Sequence, residues 1–240
     1  VNSISVEDLR EFHAKCYQPG NSILAVAGKF DWKEVIELVE SNFSKWQGTA
    51  TRDLVAPLAK EKTNTHIFND SAQVHIALAM PAPSLDSEDI QVASVAKGIL
   101  SGGMAGRLFI EVREKRGLVY SVSASISATK GRGALIGYAG TTTERAQETF
   151  DVMMSEFQKL SVGLTEEELH RAKADIKSRL VMSSESTAAR ASAIASDWWQ
   201  LGRVRTLEER LEAISKVGIE DIKRYSQKYS PDTFTLVTLG

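Results

Sequence analysis

The residues most able to do metal or proton chemistry are the four histidines, His13, His66, His75 and His170. Zinc hydrolysis needs two or three nitrogen or carboxylate ligands around an ion with one open position, which on a helix means histidines about four residues apart with a carboxylate nearby. No two of these histidines have that spacing. His66 and His75 fall on strands expected to be neighbours, and unliganded surface or core imidazoles account for all four.

Other candidate groups lead to ordinary structural roles. Ser101 to Gly106, Ser-Gly-Gly-Met-Ala-Gly, lacks the Gly-Lys-Ser/Thr of a phosphate-binding loop and does not follow a strand, so it reads as a hinge between helices. Cys16 lies in a helix beside large side chains and has no evident histidine partner. Thr165-Glu166-Glu167-Glu168 reads as a helix start, where acidic residues complement the macrodipole. Trp198 and Trp199 point to different sides of a helix, one expected to pack inward and the other against a neighbouring domain or partner.

Composition narrows the function classes. Lys and Arg number 29 against 31 Asp and Glu, a net charge of −2, which provides no field for gathering phosphates and argues against nucleic-acid binding. A single cysteine excludes an internal disulfide and leaves the compartment open. No run approaches the roughly 18 apolar residues of a membrane span, so a soluble chain without a membrane span is expected. The chain starts without Met, inside a helix-like segment, which leads us to expect a fragment of something longer.

The elements that must position these residues follow from periodicity and capping. Helices are predicted after Ser5, after Asp31, from Ser87 to Leu100 and from Met104 to Arg116; others start at Thr143, Thr165, Ser186 and Thr206, and a last one runs from Ile219 to Tyr229. Strands are predicted at Ser22 to Ala27, His66 to Asn69, Gln73 to Met80, Tyr120 to Ser127, Ala134 to Thr141 and Thr233 to Leu239. The two strands around Asn69-Asp70-Ser71 read as a pair, and Lys130 to Gly133 as the turn of the next hairpin. Lys45 to Thr65 reads as a polar connector. Paired strands followed by a run of helices favour an α+β fold, a predominantly antiparallel sheet with helices over one face.

The two ends resemble each other. SVEDLREFHAKCYQPGNSILAVAG and GIEDIKRYSQKYSPDTFTLVTLG align with one gap, matching Asp8 with Asp221, Tyr17 with Tyr229, Pro19 with Pro231, Leu24 with Leu236 and Gly28 with Gly240. Two readings are open: chance similarity of amphipathic helices that precede strands, or duplication of a whole domain. Under the second, 1–28 is a junction helix and strand, 29–240 is the domain proper, and the chain is one half of a duplicated two-domain architecture.

Gly102 to Val122, GGMAGRLFIEVREKRGLVYSV, combines a glycine hinge, an amphipathic helix ending in charges and a strand that starts at an aromatic hydroxyl. Together with Tyr17, Pro19 and Asn21, the Arg107-Leu108-Phe109 helix, Arg113, Gly117-Leu118, Tyr120 and Leu164-Thr165-Glu166, it resembles the pitrilysin/insulinase (inverzincin) zinc metallopeptidases. These include the mitochondrial processing peptidases and core subunits of respiratory complex III. The resemblance covers nearly the whole chain and is to the domain following the zinc-binding one. It implies a non-zinc-binding domain of a metalloendopeptidase that closes a chamber over unfolded peptide.

In that family an arginine and a tyrosine seven residues apart reach the zinc site of the partner half; Arg113 and Tyr120 match as substrate-binding residues, with Arg116 the competing arginine. Guanidinium can bind a carbonyl or carboxylate at fixed geometry, and a phenol can donate to a developing oxyanion. The inverted His-x-x-Glu-His motif is absent, so no catalytic or metal residue is assigned within this chain, which alone should be inactive. Zinc is expected in the complete enzyme, held by a zinc-binding catalytic domain or subunit, with a homo- or heterodimer implied. The alternative is a catalytically inactive partner or scaffold subunit of the same fold.

Overall fold

The computed structural model describes residues 3–49 and 63–240, so most of the expected polar connector lies outside the described residues. Two compact units form: Val1–Ala59 with Glu185–Gly202, and Lys60–Ser184 with Arg203–Gly240.

In the first unit, Ser5 caps α1 (Val6–Cys16) through a reciprocal pair with Asp8, and Asp31 caps α2 (Trp32–Phe43) by accepting from the Lys33 and Glu34 amides. Neither helix buries a residue. The strand expected at Ser22 to Ala27 does not form: no described strand pairs with it, and a β ladder requires a neighbour to take its amides and carbonyls. Ser186 caps α6 (Thr187–Leu201), and Gly202 ends it in the left-handed region. Both Trp198 and Trp199 are about half exposed, which corrects the expectation that one packs inward.

The second unit is built on a five-stranded sheet: β1 (Asn64–Ile67), β2 (Val74–Pro81), β3 (Ser121–Thr129), β4 (Arg132–Thr141) and β5 (Thr235–Leu239), in the order β1-β5-β2-β4-β3. The β3–β4 hairpin forms as expected, around Gly131 at φ 75°. β1 and β2 do not pair. The apolar TLVTL strand β5 enters between them, antiparallel to β2 and parallel to β1, and leaves the polar, fully exposed NTHI strand β1 at the edge. β1–β5 is the sheet's parallel pair; β2–β5, β2–β4 and β3–β4 are antiparallel.

Strand alternation sorts the residues cleanly onto two faces. One face carries Val74, Ile76, Leu78, Met80, Ala124, Leu135 and Ala139, all buried. The helices α3 (Ile90–Ser101), α4 (Ala146–Gln158), α5 (Glu166–Ser184), α7 (Leu207–Lys216) and α8 (Ile219–Lys228) build the core with it. The α+β fold with one helix-covered face is therefore as the sequence predicts. The second helix expected, Met104 to Arg116, instead opens with a 3₁₀ turn at Gly103–Ala105 and widens to a π-helix at Phe109–Glu114. Periodicity predicts a helix there but not its wider turn.

Phe157 of α4 is almost fully buried against Gly137 of β4, whose missing side chain admits the ring: a Cβ there would lie 3.1 Å from it. Phe157→Ala should therefore cost about 3–4 kcal/mol of stability in denaturant unfolding. A loss below about 1 kcal/mol would mean that this contact does not organise the core.

Candidate functional site

The conspicuous stretch of sequence becomes a rigid corner of the second unit. α3 stops at Ser101, and the chain doubles back so tightly that a Cβ on Gly106 would lie 2.8 Å from the Gly102 nitrogen. The next residue, Arg107, is only 8% exposed. Its guanidinium donates from Nε to Glu168 Oε1 at 2.6 Å, and from Nη2 both to Glu168 Oε2 at 2.8 Å and to the Gly163 carbonyl at 2.6 Å. Glu168 also accepts from the Thr165 amide and hydroxyl, while the Thr165 hydroxyl oxygen accepts from the Glu168 amide, the reciprocal cap expected for α5. One carboxylate thus starts a helix and anchors a second segment 61 residues away.

From Arg107 the chain runs into the π-helix, ends at Gly117 with φ 61°, and enters β3. The turn is held on every side. Gly117 donates to the Arg113 carbonyl and Leu118 to that of Val112, both at 3.0 Å. The Thr141 hydroxyl donates to the Leu118 carbonyl at 2.6 Å and accepts from Thr149 at 3.3 Å, both threonines being fully buried. Arg145 donates to the Gly117 carbonyl, and the Tyr120 amide to that of Gly140. Backbone on both sides of Arg113 and Tyr120 is therefore fixed, while both side chains are exposed.

The three basic residues here, Arg113, Lys115 and Arg116, are not equivalent. Arg116 donates to both the carbonyl and the carboxylate of Glu111, which Lys115 also reaches. These bonds from Lys115 and Arg116 hold the Glu111 carboxyl below its ordinary value. The Arg113 guanidinium lies over the Phe109 ring, 5.2 Å from its centre. Among the described residues Arg113 has no ion pair.

The sheet's other face mixes polar, small and apolar side chains, among them Ile136, Val237 and Leu239. Ser121, Ser123, Ser125 and Ser127 form an exposed row along β3. Beside them, on β2 and β4, the His75 Nδ1 and the Tyr138 hydroxyl are hydrogen-bonded at 2.7 Å. The structure separates the histidines: His66, bonded to Thr238 on the covered face, and His75 on the open face are divided by β5. His13 stacks on Tyr17, and His170 is exposed on α5. Among the described residues no group of three or more His, Cys, Asp or Glu could hold a metal ion, so they do not fit a zinc site. Among the described residues no helix is long and apolar enough to cross a membrane.

Sequence reasoning missed the Thr141–Thr149 pair and the His75–Tyr138 pair, because each joins different elements and has no local signature. Arg107 and Glu168 both lie in or beside stretches of the family resemblance, but nothing in the sequence says that they meet.

The second unit is thus a mostly antiparallel sheet with one helix-covered face, and Arg113 and Tyr120 lie at a braced corner of it. The peptidase M16 inactive domain family matches residues 3–176, and the chain belongs to that family. An uncharacterised zinc protease of Mycobacterium tuberculosis is 28% identical over 246 residues, covering all of this chain and 56% of the relative. The crystal structure of a peptidase M16 inactive domain from Pseudomonas fluorescens superposes with a TM-score of 0.88 at 26% identity, covering 99% of this chain and 58% of that one. A Helicobacter pylori protease structure shares the fold, with a TM-score of 0.84 at 20% identity over 99% and 59%. The chain thus spans a little over half the length of the relatives that it matches, and the family resemblance read from the sequence holds.

Burial alone would raise the Glu168 carboxyl, but the Arg107 and Thr165 hydrogen bonds outweigh it and hold the group below the ordinary 4.5. A depressed carboxylate adds stability above its unfolded value, and that stability is lost as pH falls through the folded one. Glu168→Gln should cost roughly 3 kcal/mol at pH 7 by leaving Arg107 buried without its partner. In denaturant midpoints the gap between wild type and variant should narrow as pH drops below about 4.5. A gap that stays constant with pH would exclude the ion pair as its source.

Proposed function

We propose that this chain is the non-zinc-binding half of a zinc-dependent metalloendopeptidase. In this reading it closes a chamber over unfolded peptide and adds substrate contacts to a zinc site held by another domain or subunit. The zinc ion, wherever bound, would supply Lewis-acid polarisation of the scissile amide. This chain's own residues bind and orient. Arg113 holds a substrate carbonyl or carboxylate, and the Tyr120 hydroxyl donates a hydrogen bond to the oxyanion that develops during cleavage.

The observation that carries the reading is the contrast between the two arginines. Arg116 is engaged by Glu111, whereas Arg113 rests on Phe109 with its donors exposed, at a corner whose backbone is fixed. A preorganised donor that need not break an ion pair before binding loses little energy to reorganisation. The exposed serine row along β3 supports the chamber role by offering hydroxyls to a peptide backbone. The zinc-protease names of the relatives support the metal chemistry of the whole.

In the complete protein, Arg113→Ala should lower kcat/KM for an unfolded peptide on the order of 100-fold with zinc content unchanged. Tyr120→Phe should lower kcat more than it raises KM. Full activity in the Arg113 variant would remove its role. Absence of any cleavage by the wild-type protein would favour the scaffold reading instead.

A further inference from the structure

Lys97 is the one charged residue of α3, and its neighbours along the helix, Val95, Ala96, Gly98 and Ile99, are buried. Its own side chain is half-buried. Among the described residues it has no ion pair and no hydrogen bond. A partly desolvated ammonium without a partner is costly, and neither the core nor the Arg113–Tyr120 corner uses it.

Its surroundings are electropositive. Burial, and after it the positive charge of Arg179 on α5, push the Lys97 ammonium below its ordinary value. Asp175 pulls the other way, but less strongly, and its carboxylate is already ion-paired with Arg179. Two cations on neighbouring helices thus share one carboxylate, which leaves room for a second anion.

Ser94 and Lys97, one turn apart on α3, form a ridge with a groove on each side. Toward β3, the groove has a volume of about 410 Å³ and walls made by Leu85, Ile90, Ile126 and Ala128, all half-buried. Toward α5, a second groove of about 330 Å³ runs past Ile176, Arg179 and Leu180. It starts beside the close contact of the two helices, where a Cβ on Gly98 would lie 3.4 Å from that of Ala172. Each groove has the size of a small-molecule site, and all of these residues belong to the second unit.

The pattern selects a ligand chemistry. One unpaired ammonium beside a guanidinium suits a single negative charge, and a carboxylate can accept from both. A phosphate would bring a second charge against Asp175 with no further cation to meet it. The aliphatic walls toward β3 suit an unbranched hydrocarbon chain. We propose that this ridge binds a medium-chain fatty acid, its carboxylate on Lys97 and Arg179 and its chain along Leu85, Ile90 and Ile126. The half-buried walls and the single unpaired ammonium suit a free fatty acid better than a bilayer, which is held by basic clusters and projecting apolar residues. The bound acid joins α3, which leads into the glycine hinge, to α5, which carries Glu168. The site is independent of the roles given to Arg113 and Tyr120.

Isothermal titration calorimetry of the natural full-length protein with dodecanoate, below its micelle concentration, tests the proposal. Dodecanoate should bind on the order of 10-fold or more tightly than dodecanol, and acetate should not bind measurably. Lys97→Met, which keeps the length of the side chain, should remove the preference for dodecanoate over dodecanol while its thermal midpoint shows that the protein is folded. Hydrogen exchange should slow in peptides over 90–101 and 121–129 when dodecanoate is added to the wild type, and not in the variant. Equal affinity for dodecanol and dodecanoate, or dodecanoate binding unchanged by Lys97→Met, would overturn the proposal. So would Lys97-dependent binding to phosphatidylglycerol vesicles without binding of dodecanoate, which would assign the ridge to a membrane surface.

Discussion

Arg107 lies buried against Glu168, and much of the candidate site depends on that placement. A guanidinium removed from water is costly unless its donors are met, and here the Glu168 carboxylate and the Gly163 carbonyl meet them. Because Glu168 also caps α5, the ion pair fixes the relation between the start of α5 and the segment that leaves the glycine hinge. The π-helix follows directly, and with it the position of Arg113. At the other end of the corner, Thr141 and Thr149 hold the Leu118 carbonyl and so the entry of β3, where Tyr120 lies. Two buried polar anchors thus position two exposed side chains, Arg113 and Tyr120.

The sheet expresses the same division of labour. Its covered face is a tightly filled apolar layer in which Gly137 makes room for Phe157. Its other face carries serines, small and apolar residues and the His75–Tyr138 hydrogen bond. The first unit exposes apolar residues on α1 and at 22–27, Leu9, Phe12 and Leu24 among them.

Local signals in the sequence were translated faithfully into local structure. The Ser5–Asp8, Thr165–Glu168 and Thr206–Glu209 patterns became reciprocal caps, and the Gly131 turn became the β3–β4 hairpin. Non-local order was not legible. His66 to Asn69 and Gln73 to Met80 read as a hairpin because they are adjacent, yet β5, from the far end of the chain, separates them. Alternation of side chains does not encode which strand lies alongside. The widening of the Met104 to Arg116 helix into a π-turn was hidden as well, since periodicity over one or two turns does not distinguish the two. Arg113 and Tyr120 are singled out by the family resemblance alone, whereas the anchors that brace them, Thr141, Thr149 and the meeting of Arg107 with Glu168, appear only when the chain is folded.

The central claim is that this domain serves a metal site it does not contain. Zinc per polypeptide in the natural full-length protein, measured by elemental analysis with intact mass alongside cleavage of an unfolded peptide, tests it most directly. The account predicts about one tightly held zinc per two-domain polypeptide, or per complex with a zinc-binding subunit, and cleavage that a chelator abolishes. A metal-free protein that cleaves nothing, alone or with its natural partner, would contradict it and leave a scaffold of the same fold.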